Sequence, residues 1–124
     1  MKVRIKNNTV RFRLDQIDVE NIKHNGFCEE VSQILDQKLV FSIKNGENKP
    51  NNVQLSPFRL ETTVPEDSII PVLDGSQTGI TFTLPNPDGT MLTIMIERDF
   101  KCLVPRGEED EHAFENPLAG SGSC

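Results

Sequence analysis

Met1–Leu14, MKVRIKNNTVRFRL, constrains this chain more than any other stretch. It reads as two strict alternations joined by Asn7-Asn8. Lys2, Arg4 and Lys6 recur at period two, as do Arg11 and Arg13, with Val3, Ile5, Val10, Phe12 and Leu14 between them. Period two is the signature of a half-buried strand. Asn-Asn between two such runs predicts a two-residue hairpin turn, because Asn tolerates the positive φ those turns demand. The register follows: Lys6 faces Thr9, Ile5 faces Val10, Arg4 faces Arg11 and Lys2 faces Arg13. All five cations then share one face and the apolar side chains share the other. Directly opposed like charges are unfavourable in a strand pair, so the basic face calls for an anionic neighbour. Within the chain, the candidate is the acidic run Glu108, Glu109, Asp110 and Glu111.

At 124 residues the chain is the size of one ordinary domain and needs no covalent staples to bury a core. Trp and Tyr are absent, so Phe, Ile, Leu and Val must fill that core. The net charge of −6 argues against nucleic acid as a general partner, since such binding draws on a basic surface. No apolar run approaches the roughly 18 residues of a membrane span, and the start has neither signal- nor transit-peptide character. A cytoplasmic protein without membrane association is expected. Three cysteines, Cys28, Cys102 and Cys124, are an odd and sparse set that fits reduced thiols.

Asp15 is placed to cap a helix, with Asp18 in its first turn, Leu14 and Val19 at the spacing of a hydrophobic staple, and Asn25-Gly26 as the stop. Phe27–Leu35 and Lys38–Lys44 read as strands joined by a tight turn at Asp36-Gln37, and Asn45–Asn52 as a polar loop. Val53–Val64 is extended, with Pro57 confining it to an edge, bulge or break. Val64-Pro65-Glu66-Asp67 repeats the helix-start chemistry with Pro at the first helical position, and Asp74-Gly75 closes that helix. Gly79–Leu84 and Thr90–Glu97 flank the turn-rich Pro85–Gly89 as a hairpin and form the best core candidate. Strand–helix–strand thus occurs around 9–35 and again around 58–84. The expected fold is α+β: a mainly antiparallel sheet, curved or closed into a partial barrel, with two short helices and an internal repeat. Residues 1–118 are expected to form one domain and 119–124 a flexible end.

The two ends of the chain, MKVRIKNNTVRFRL and ERDFKCLVPRGEEDEHAFENP, resemble a small bacterial protein family of unknown function. Its features are a basic N-terminal hairpin and a C-terminal segment with Cys-Leu, an Arg, an acidic pair and Phe-x-Asn-Pro. The resemblance covers most of the chain, best at the ends. It implies no activity, cofactor or substrate. It does imply that the C-terminal segment belongs to the domain.

Lys2, Arg4, Lys6, Arg11 and Arg13 are the candidate binding residues. The arginines offer planar forks and the lysines point charges to an acidic protein or an anionic small molecule. The competing view has the face simply covered by Glu108–Glu111, a segment that could also compete with an outside anion. Cys102, Asp110, His112 and Cys124 are zinc-ligand types, but they lack paired ligand spacing, so no metal or other cofactor is expected. Cys28 and Cys102, each beside a Phe or Leu, read as small buried residues. Nothing in the chain matches a phosphate-binding loop or a hydrolase motif. Met91 and Met95, on the second face of the last strand, suggest cover on both sides by a helix or a subunit, and a homodimer stays open. The leading reading is a non-catalytic binding or interaction protein. Its alternative is a small enzyme whose site combines the hairpin arginines with Cys102 or the C-terminal acids.

Overall fold

A computed structural model describes residues 1–101 and 112–115. The N-terminal hairpin takes the expected register, with β1 (Lys2–Lys6) and β2 (Thr9–Leu14) pairing Lys2 with Arg13 and Ile5 with Val10. Asn7 and Asn8 adopt φ of 51° and 60°, the two positive values of a type I′ turn. Helix α1 (Gln16–Asn25) starts at Asp15, whose carboxylate accepts from the Asp18 amide while the Asp18 side chain accepts from the Asp15 amide. That reciprocal capping satisfies two of the orphan amides of the first turn. Asp18 is buried and also lies 2.8 Å from the Met1 amino group. Gly26, at φ 84°, ends the helix in the left-handed conformation that favours glycine.

Strands β3 (Phe27–Ile34) and β4 (Gln37–Asn45) form the second hairpin. Its turn is Leu35-Asp36, one residue earlier than expected. The pairing of Ile34 with Gln37 sets that position, and Leu35 takes a φ of 55° there. Strands β5 (Asn52–Ser56) and β6 (Arg59–Val64) flank a turn at Pro57-Phe58, so Pro57 marks a hairpin tip. In helix α2 (Glu66–Leu73) Pro65 is the cap residue, one position before the helix proper, and Pro71 is tolerated in the last turn. Strands β7 (Gly79–Pro85) and β8 (Met91–Arg98) complete the framework.

The fold class is α+β and sheet-dominated, but its strands form two four-stranded sheets, ordered β1-β2-β8-β7 and β3-β4-β6-β5, that do not close into a barrel. The edges are antiparallel hairpins. The centre of each sheet is parallel, β2 on β8 and β4 on β6. The internal repeat is therefore hairpin–helix–hairpin. Residues 50 positions apart correspond: Val10, Phe12, Leu14, Val19 and Ile22 are buried, as are Leu60, Thr62, Val64, Ile69 and Val72. Each half gives one hairpin to each sheet, and each helix carries the chain from one sheet to the other. All four hairpin turns lie at one end of the strands. The helices, the 46–51 loop and residues 112–115 lie at the other. The core sits between the inner faces near the helix end, built on Phe12, Leu14, Ile22, Ile43, Ile94 and Ile96, each contributing about 1.5–3 kcal/mol on burial.

Candidate functional site

The basic face is the outer face of the first sheet. Lys2, Arg4 and Lys6 stand on edge strand β1, Arg11 and Arg13 on β2, and in-register residues of β8 continue the surface with Thr93, Met95 and Glu97. The alternation that sends Val10, Phe12 and Leu14 into the core sends all five cations outward, so the face follows directly from the period-two pattern. Its anionic neighbours come from β8 and the residue after it. Arg11 Nε bonds the Glu97 carboxylate, and Lys2 Nζ lies 2.9 Å from Asp99 Oδ2. Asp99 is buried and held by its own amide donating to the Leu14 carbonyl at 2.8 Å. The acidic residues first considered for this role, Glu108, Glu109, Asp110 and Glu111, lie outside the described residues.

Two of the five cations thus have carboxylate partners, while Arg4, Lys6 and Arg13 make no ion pair among the described residues. Two shallow depressions score the face, of about 130 Å³ and about 310 Å³, and Arg4 and Arg11 line both. Arg13 and Lys2 flank the smaller. Lys6, Thr9 and Met95 flank the larger. Met95 is half-buried there among arginine stems. The cover expected for the methionines is therefore a set of long basic side chains at Met95 and water at half-exposed Met91. Chemically the face offers guanidinium forks and hydroxyls in an open array, suited to carboxylates or phosphates held along a surface.

The other sequence candidates do not converge on this face. Cys28 is buried in the core, its thiol pushed up to about 12 by burial, with the nearby Asp18 carboxylate adding to the shift. A thiol held protonated is a poor nucleophile. His24 bonds Glu20 one turn back at 2.9 Å on the exposed face of α1. Cys102 and Cys124 lie outside the described residues, and no group of three metal-ligand side chains occurs among those described. Part of the C-terminal segment does dock. Ala113 is buried, Gln16 donates to the carbonyls of His112 and Ala113, and Phe114 pairs with Phe100 beneath the Arg98 guanidinium.

A family model described as a family of unknown function (DUF7009) matches residues 1–118. The chain belongs to this family. That agrees with the resemblance carried by the basic hairpin and the C-terminal segment. No curated protein and no solved structure matches the chain. Among the described residues no helix is long and apolar enough to cross a membrane. No sequence pattern links Glu97 and Asp99 to the hairpin. The missing signal was the parallel pairing of β2 with β8, which places them there.

Proposed function

We propose that this family member is a binding protein whose outer β1-β2-β8 face recognises an acidic segment of a partner protein. The carrying observation is that Arg4, Lys6 and Arg13 make no ion pair among the described residues while lining two depressions that share Arg4 and Arg11. Surplus cations on one face of a chain with net charge −6 form a local patch of opposite sign, which steers an anionic partner to that side. The openness of the face suits an extended acidic segment better than an enclosed small anion, since small-ligand sites bury most of the ligand surface. Glu97 and Asp99 hold Arg11 and Lys2 in place beside Arg4, Lys6 and Arg13. The docking of Ala113 and Phe114 on the helix end supports residues 1–118 folding as one unit.

The test is fluorescence anisotropy with a labelled oligo-glutamate peptide across a salt series. Binding is expected to weaken as salt rises, because exposed charges are screened within about 8–10 Å at physiological salt. Arg4→Ala combined with Arg13→Ala is expected to reduce affinity at least about tenfold, as lost charge-assisted contacts imply. Absence of binding at low salt, or binding indifferent to both substitutions, would remove this reading.

A further inference from the structure

At the turn end, opposite the helices, the two sheets do not close on each other. A cleft of about 830 Å³ opens between their inner faces, with Val10, Phe41, Leu60 and Leu92 on its walls. Large apolar side chains rise around it. Leu35 is 92% exposed, Leu55 79% and Ile5 61%, and Phe58 and Ile34 are about half exposed. Two of these residues also sit in turn conformations that resist them. Pro57 fixes its own φ near −65° and Phe58 takes 66°, a pattern whose second position ordinarily goes to Gly or Asn. Leu35 takes 55° at the first position of its two-residue turn, a place favouring Gly. The equivalent of Phe58 in the first half of the repeat is Asn8, which suits its φ of 60°. Bulky apolar residues held in water in a left-handed conformation give a lone chain nothing in return.

We infer that the turn end is a homodimer interface, in which a second copy of this chain covers the cleft. The patch holds both a groove and the knobs to fill one, the requirement of an isologous contact in which residue i meets j and j meets i. Its area fits as well. At roughly 180 Å² for a large apolar residue, the five side chains expose on the order of 600 Å², most of the ~800 Å² per partner of a stable interface. Charge points the same way. Among the described lining residues only Arg59 is charged, and it is held by Glu29 at 2.7 Å and Glu61 at 3.6 Å. The cleft walls themselves therefore carry none of the excess acids of this chain of net charge −6. A small apolar ligand in the cleft would leave Leu35 and Ile34 in water, whereas a second copy buries them. The contact leaves the basic outer face of the first sheet open on both protomers.

Sedimentation equilibrium on the full chain, from low to high micromolar concentration, tests this. The wild-type chain is expected to show reversible monomer–dimer association. Leu55→Lys is expected to raise the dissociation constant at least about tenfold, as loss of a central apolar anchor does. Phe58→Asn is expected to weaken the dimer while leaving the dilute monomer at least as resistant to heat, because Asn suits the turn. It also serves as the second variant should Leu55→Lys fold poorly. Val31→Lys, on the outer face of β3, is expected to leave association unchanged. A monomer at every concentration, including one carrying a co-purified apolar compound, would overturn the inference. So would a dimer indifferent to Leu55→Lys and Phe58→Asn, or one broken by Val31→Lys.

Discussion

Thr62 occupies the place in the second half of the repeat that Phe12 occupies in the first, and both are fully buried. Its side chain points into the core from β6, in register with Ile43 on β4 and Val53 on β5, and its Oγ1 has no hydrogen-bond partner among the described residues. A hydroxyl removed from water without compensation costs about 1–3 kcal/mol on the scale of protein substitutions. Thr62→Val keeps the β-branched shape and replaces the hydroxyl with a methyl group of similar volume, so it opens no cavity. We expect it to stabilise the protein by about 1–2 kcal/mol, or roughly 3–8 °C in Tm for a domain of this size. Thr62→Ser keeps the hydroxyl and deletes the methyl group. It should destabilise by about 1 kcal/mol through the lost methyl and the gap left behind. Urea unfolding and calorimetry on the three proteins decide the matter. If Thr62→Val is neutral or destabilising while its m-value stays at the wild-type value, the hydroxyl is satisfied in solution and the reasoning fails.

Arg98 ties three parts of the helix end together. Its guanidinium donates to the Val72 carbonyl at 2.8 Å and lies 3.7 Å above the Phe114 ring. Arg98→Met should cost about 2–3 kcal/mol by removing a charged hydrogen bond and a cation–π contact, and hydrogen exchange should show faster opening around Phe114. Unchanged protection there would mean that Phe114 docks without the arginine. Cys28 predicts a pH dependence. The folded thiol keeps its proton up to about 12, while the unfolded thiol loses it near its ordinary value of 9. The unfolded state therefore binds fewer protons between those limits, and stability should fall with rising pH across that window by about 1 kcal/mol per unit. Urea midpoints from pH 8 to 10 should fall less steeply in Cys28→Ala, and equal slopes would refute the assignment. Below pH 9 the native thiol should also resist alkylation.

The legible parts of the fold are those where local chemistry and short-range pairing agree. Asn7-Asn8 between two alternating runs admits one hairpin register, because a one-residue slip would send the cations into the core. Asp15 before an apolar stripe and Gly26 after it bound α1 in the same way. The Leu35-Asp36 turn was misplaced by one residue because a leucine at positive φ contradicts turn propensity. The candidate site was half legible. Its five cations follow from alternation. Their partners Glu97, on β8, and Asp99, just after it, lie more than 80 residues away, and no local pattern joins them.

By itself the sequence determined the first, second and last hairpins, the limits of α1, and the alternation that makes the basic face, while the β5–β6 hairpin at Pro57-Phe58 went unread. Each depends on backbone preference and on hydrophobic period over a few residues. Only the tertiary structure decided that the strands divide into two sheets and that each half of the repeat gives a hairpin to both. It also decided that parallel pairs β2–β8 and β4–β6 form their centres. Parallel pairing joins strands without a turn between them, so its register is set by which apolar faces pack best across the whole core. The same packing puts the helices at one end and leaves the other end open, with Ile5, Leu55 and Phe58 at its mouth.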